Sequence, residues 1–147
     1  MKYCLTLLLI ITISGLSFSQ TDSSIFGKFN SQFIKIDGYK INVETLGSGN
    51  PIFFFTGGPG NSHDYMQGAF GQYYKNCQVV FIDMLGRGKS EDAKDKSEYS
   101  IVNDVYIAEE VRKQLKLTKI SLVGHSYGTV IAQAYAVKYP TQVNKMV

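Results

Sequence analysis

Tryptophan is absent from the 147 residues, proline occurs three times, and cysteine and histidine occur twice each. So few cysteines exclude a disulfide framework and a thiolate metal site. Cys4 lies in an apolar leader, which leaves Cys77 alone in the rest of the chain with no partner at useful spacing. Cys77 is expected to behave as a small buried hydrophobe. There is no apolar run long enough to span a bilayer, which takes about 20 residues; the longest candidate covers residues 4–13. Nor is charge of one sign concentrated anywhere. The net charge is +3, but the 15 Lys and Arg residues are scattered without a stripe, so no nucleic-acid footprint is present and solvation is their expected role. With 44% hydrophobic and 18% charged residues, the composition is that of a folded chain with room for about one domain. No internal repeat or linker divides it.

The amino terminus has the pattern of an export signal. Met1-Lys2 supplies a positive start, residues 4–13 a short apolar core, and Ser17 and Ser19 small residues three and one before a cleavage point. The expected organisation is a signal peptide over 1–19, a polar leader over 20–31 and a folded portion over 32–147. Export to a periplasm or the outside follows, with no membrane attachment after cleavage. A retained anchor is disfavoured by the short run.

Alternation predicts strands over 33–37 and 40–44, joined at Asp37-Gly38, with one solvated face as in an edge hairpin. Continuous apolar runs predict buried strands over 52–55 and 78–83. Between them, 64–74 fits a helix with a weak apolar face. Ser100 can cap a helix over 101–115, where Ile101, Val105, Ala108, Val111 and Leu115 recur at helical spacing and Glu109-Glu110 with Arg112-Lys113 read as a solvated face. A strand from Ile120 to Val123, an alanine-rich helix stopped at Tyr139-Pro140, and a further strand beginning at Val143 complete the order. Such alternation predicts an α/β fold, a mostly parallel sheet with helices on both faces.

Three glycine-rich turns follow strands in this scheme. Gly124-His125-Ser126-Tyr127-Gly128 joins a strand to a helix, the context in which a G-x-S-x-G pentapeptide forms a nucleophile elbow. Glycines at Gly124 and Gly128 leave room for the bend, and the Ser126 hydroxyl is expected exposed above a helix N-terminus, where N–H groups favour an oxyanion. Thr56-Gly57-Gly58-Pro59-Gly60 can bring backbone N–H groups close to a ligand, or serve as an ordinary tight turn. Gly88-Lys89-Ser90 matches the end of a phosphate-binding loop, but that motif needs a glycine five positions earlier, where Asp83 stands, so nucleotide binding is rejected.

Taken together, Gly57-Gly58-Pro59-Gly60, Asp83-Met-Leu-Gly-Arg-Gly-Lys-Ser90 and Gly124-His-Ser-Tyr-Gly128 resemble the α/β-hydrolase family, and the first loop is most similar to its proline iminopeptidase branch, whose members remove N-terminal residues from peptides. The resemblance implies the α/β-hydrolase fold, Ser126 as nucleophile, an oxyanion hole from the N–H groups of Gly58 and Tyr127, a structural role for the Asp83 segment, and a His125 side chain directed away from the reacting centre. No cofactor or metal is implied, and the substrate is a small molecule or short peptide. Thr56 departs from the pattern, since the family carries there a histidine that orders the loop.

A serine hydroxyl needs a histidine base oriented by a carboxylate. In this fold both follow the serine along the chain, yet no Asp, Glu or His follows Ser126. His63 lies after the oxyanion loop and is weighed as a base near the site mouth against a plain surface histidine. The chain is therefore expected to be the N-terminal half of a longer enzyme, poorly soluble and without turnover by itself. The leading expectation is an exported serine hydrolase, an aminopeptidase ahead of an esterase. The alternative is a non-catalytic binding protein on the same scaffold.

Overall fold

The computed structural model describes residues 28–147, and the expected signal peptide lies outside them. Among the described residues six strands, numbered in chain order, form one sheet in the order β1-β2-β4-β3-β5-β6. β1 (Asn30–Ile36) and β2 (Tyr39–Leu46) pair antiparallel through a tight turn in which Asp37 and Gly38 take φ of 49° and 85°. Positive φ at both positions matches the right-handed twist of the flanking strands, which is why an Asp-Gly pair serves there. β2 pairs antiparallel with β4 (Gln78–Ile82), while β3 (Pro51–Phe55) pairs parallel with β4 and with β5 (Ile120–Gly124), and β6 (Val143–Met146) extends the sheet parallel to β5.

Side chains alternate across the sheet, so Phe53 and Phe55 enter one core and Phe54 the other. The larger core holds α2 (Ile101–Gln114) and α3 (Tyr127–Lys138), with Val105, Ala108, Val111, Ile131 and Tyr135 against β-strand residues such as Val80 and Ile82. The opposite core holds α1 (Asp64–Phe70), with Met66 against Phe54, Val79 and Phe81. Burying each of these aromatic side chains contributes about 1.5–3 kcal/mol. Helices thus cover both faces. Cys77 is buried in the second core, as a small hydrophobe should be. Among the described residues no helix is long and apolar enough to cross a membrane.

Three expectations need correction. The hairpin keeps its solvated face only along β1, where Ser31, Phe33 and Lys35 are exposed, and at Lys40; further along β2, Asn42 and Glu44 are buried, because α1 and the Asp83 turn cover that face of the sheet. The helix expected over 64–74 ends at Phe70 and continues as a 3₁₀ turn, Gly71–Lys75. Glu109 is not on a solvated face: it is buried, receives both Nε and Nη2 of Arg112, and accepts the Tyr135 hydroxyl at 2.7 Å across the α2–α3 contact. Ser100 does cap α2, accepting the Asn103 N–H at 3.2 Å.

The topology places the site. From β3 the chain moves to β4 on one side, whereas β5 lies on the other. A crevice opens at the carboxyl ends of strands where connections diverge in this way. The turns after β3 and β5 meet there, and the His125 N–H donates to the Phe55 carbonyl at 3.1 Å.

Candidate active site

β5 ends at Gly124 and α3 begins at Tyr127, so only His125 and Ser126 make the turn. Ser126 takes φ 51° and ψ −118°, a strained conformation for a residue with a Cβ. Local hydrogen bonds hold it: the Gly128 N–H donates to the His125 carbonyl at 2.9 Å, and the Ser126 carbonyl accepts the Thr129 N–H at 2.9 Å and the Thr129 hydroxyl at 2.6 Å. The flanking glycines are required by close approach. A Cβ on Gly124 would lie 2.6 Å from the Gly128 carbonyl oxygen, and one on Gly128 would strike the Phe55 carbonyl and lie 2.8 Å from that of Thr56. The helix folds back onto the ends of β3 and β5 with no room for a methyl group. Ser126 is exposed at the N-terminus of α3, where unpaired N–H groups favour negative charge.

The loop after β3 passes beside this serine. A Cβ on Gly57 would lie 3.0 Å from the Ser126 Cβ and 2.6 Å from His125 Nδ1. The Gly57 N–H donates to the Tyr65 hydroxyl oxygen at 2.6 Å, and that hydroxyl lies 2.9 Å from His125 Nδ1. The His125 ring is thus turned to Tyr65 beside the loop. Gly58, at φ 65°, carries the next N–H along the loop. Thr56 is buried, and its hydroxyl reaches only the Asn61 carbonyl, at 3.4 Å. The Pro59 carbonyl accepts from Arg87 Nε, and Arg87 Nη2 donates to Asp104 Oδ2 at 2.9 Å. The same guanidinium lies 5.5 Å from the centre of the Tyr127 ring, whose hydroxyl donates to Asp104 at 3.4 Å. Burial pushes the Asp104 carboxyl above its ordinary range despite Arg87 beside it. Tyr65, Arg87 and Asp104 were not singled out from sequence. Arg87 lay inside the rejected phosphate-loop match, and Asp104 interrupts an apolar stripe, which was the one available signal.

The α/β-hydrolase fold family matches residues 50–147. The chain belongs to the α/β-hydrolase family. The proline iminopeptidase of Saccharolobus solfataricus is 39% identical over 73% of this chain and 40% of the relative. The proline iminopeptidase of Chitinophaga pinensis is 34% identical over 72% of this chain and 38% of the relative. The chain therefore spans about two fifths of the length of these relatives. Among solved structures, a proline iminopeptidase-related protein from Thermus thermophilus superposes with a TM-score of 0.74 at 20% identity, covering 81% of this chain and 44% of that one.

The Asp83 carboxylate is occupied by contacts within its own chain, and His63 is one of its partners. His63 is neither at the site mouth nor on the surface: its exposure is 0%. Its Nδ1 donates to Asp83 Oδ1 at 2.8 Å, its Nε2 lies 3.5 Å from Glu44 Oε2, and its ring stacks on Phe81. Asp83 also accepts the His63 N–H, Asn42 Nδ2 and the Lys89 N–H, each at 3.0 Å. The turn that mimicked a phosphate loop thus wraps a carboxylate of its own chain. Glu44 accepts from Gln67 at 2.5 Å and Lys89 at 2.9 Å. Burial alone would lower the pKa of His63, but its bond to Asp83 and the Glu44 carboxylate beside Nε2 outweigh that and raise it from 6.5 to about 9. The His63 contact holds Glu44 well below the usual carboxylate range; Asp83 is also lowered, burial opposing and His63 prevailing. A histidine charged at neutral pH, with both ring nitrogens facing carboxylates, cannot accept a serine proton. Among the described residues no group of three or more His, Cys, Asp or Glu side chains could hold a metal ion.

Proposed function

We propose that the full-length protein is an exported serine hydrolase that works through an acyl-enzyme and removes the N-terminal residue of a short peptide. The reading is carried by Ser126, exposed in a strained elbow at the head of α3 with the Gly57-Gly58 backbone beside it. In the proposed reaction Ser126 Oγ attacks the scissile carbonyl. The carbonyl oxygen becomes an oxyanion held by the N–H groups of Tyr127 and Gly58, a form of stabilisation that acts only where charge develops. Collapse expels the amine and leaves an ester on Ser126, which water then cleaves. The base and its orienting acid come from the part of the full-length protein outside these residues, since His63 is locked between carboxylates and the His125 Nδ1 faces Tyr65. A peptide substrate is favoured over an ester by the Gly-Gly-Pro-Gly loop and by the proline iminopeptidase relatives. Export rests on the pattern of residues 1–19, and amino-terminal sequencing of the mature product should begin at Gln20.

Treatment of the full-length protein with a fluorophosphonate probe tests the chemistry. Labelling at Ser126 that disappears in Ser126→Ala is the expected result. A folded wild type that takes no label would instead mark a binding protein on a hydrolase scaffold.

A further inference from the structure

The loop beside Ser126 has lost its family histidine, and the hydroxyl of Thr56 gives it one long contact to Asn61. Something else must fix where Gly58 stands relative to Tyr127. Tyr65 joins Gly57 to His125, but the guanidinium of Arg87 reaches the immediate surroundings of the two donors: Nε bonds the carbonyl of Pro59, the residue after Gly58, and Cζ lies 5.5 Å from the centre of the Tyr127 ring. We infer that Arg87 is a positioning residue that sets the spacing of the Gly58 and Tyr127 N–H groups; the inference rests on the serine-hydrolase reading of the site.

Three features support it. First, Arg87 has a firm base. Its N–H donates to the Met84 carbonyl at 3.0 Å, its carbonyl accepts the Ser90 N–H at 3.0 Å, and that turn is anchored on Asp83 through the Lys89 N–H. Second, the side chain is almost fully buried, 4% exposed, and its charge is met by Asp104 at 3%. A buried ion pair adds little net stability over an apolar pair of the same volume, so stability alone does not account for one here. Third, only a planar fork fits the task. Nε serves Pro59, Nη2 serves Asp104, and Cζ lies 5.5 Å from the centre of the Tyr127 ring, whereas an ammonium is a compact point charge without that fixed spread of donors. Asp104 ties the assembly to α2 and also receives the Tyr127 hydroxyl, so loop, elbow and helix share one junction.

The test uses the full-length protein with Arg87→Met and Arg87→Lys. Misplacing a group in a preorganised site by about an ångström costs up to roughly a hundredfold in rate. For Arg87→Met, kcat and the rate of fluorophosphonate labelling should fall by about tenfold to a hundredfold, with KM within about twofold, because the oxyanion contact is made in the transition state. Amide exchange over residues 57–61 should quicken. Arg87→Lys, which keeps the partner of Asp104, should recover part of the rate. Wild-type labelling and wild-type loop exchange in a folded Arg87→Met protein would overturn the inference. If that variant does not fold, the same two results in Arg87→Lys overturn it. Should the wild type itself take no label, the hydrolase reading fails by itself, and loop exchange in the variants still decides whether Arg87 holds the loop.

Discussion

His63 sits fully buried between two carboxylates, whereas His125 lies exposed one residue before Ser126. Around His63 the carboxylates gather donors: Asp83 takes four, and Glu44 takes Gln67 and Lys89. Around Ser126 the order comes from backbone hydrogen bonds, missing methyl groups and two clamps, Tyr65 and Arg87, while the serine itself stays open to solvent. The His63–Asp83 contact has the length of a catalytic pair, yet its chemistry is the reverse. A base must be neutral near the working pH and must face its proton donor. His63 is kept charged and faces away from any serine hydroxyl, so its bond to Asp83 stabilises structure. A short His–Asp distance therefore does not by itself identify a catalytic dyad.

The sharpest way to break the contrast is to exchange the roles by mutation. In the full-length protein Ser126→Ala should lower kcat by about 10⁴-fold or more, the scale seen when a triad serine is removed. Its thermal midpoint should stay near that of the wild type, since the hydroxyl makes no recorded internal bond. Comparable turnover in the variant would place the nucleophile elsewhere. His63→Leu should do the opposite. It strands two buried carboxylates, which costs about 3–5 kcal/mol in urea unfolding, while the labelling rate of the folded fraction stays within a few-fold. Selective loss of labelling with intact stability would return His63 to the list of catalytic candidates.

pH provides a third, somewhat smaller test. The pKa of His63 is raised on folding, so its contribution is complete below 6.5 and is lost as pH climbs to about 9. Over that window stability should fall by about 3 kcal/mol, and His63→Leu should remove this slope. Glu44 and Asp83 are lowered, so their contribution exists above the ordinary carboxylate range and is lost on acidification. Urea midpoints should therefore be highest just below neutrality. The smallest expected effect is that of Tyr65→Phe, which takes away the partner of the Gly57 N–H and of His125 Nδ1. A loss of about 1 kcal/mol and a few-fold drop in kcat are expected, about three orders of magnitude below the effect of Ser126→Ala. An effect as large as that of Ser126→Ala would make Tyr65 part of the chemistry.

Much of this was legible in the amino acids. The Asp37-Gly38 turn, the Ser100 cap and the apolar runs at Ile52–Phe55 and Gln78–Ile82 carry local signals, because turn dihedrals, capping and continuous burial depend on residues near in sequence. The elbow was legible for the same reason: strand, Gly-x-Ser-x-Gly and helix are contiguous. Glu44, Glu109 and His63 were misread because burial of a charged side chain depends on its partner. Glu44 faces Lys89, Glu109 faces Tyr135, and His63 faces both Glu44 and Asp83, all far off along the chain or across the sheet. Polar residues in a strand read as solvated until the tertiary structure shows what packs over that face, here the helix at Gln67 and the His63–Asp83 pair.

The sequence by itself determined the α/β class, the bend that raises Ser126 and the glycines that permit it, since each is a matter of local sterics and periodicity. Only the tertiary structure decided which loop lies beside that serine and what holds it there. Strand order brings the ends of β3 and β5 together, and the junction of Arg87 with Pro59, Tyr127 and Asp104 joins four segments whose separation along the chain hides their contact. Hydrogen bonds and charge pairing act over a few ångströms of space, and no periodicity in a linear chain encodes which distant residues will come that close.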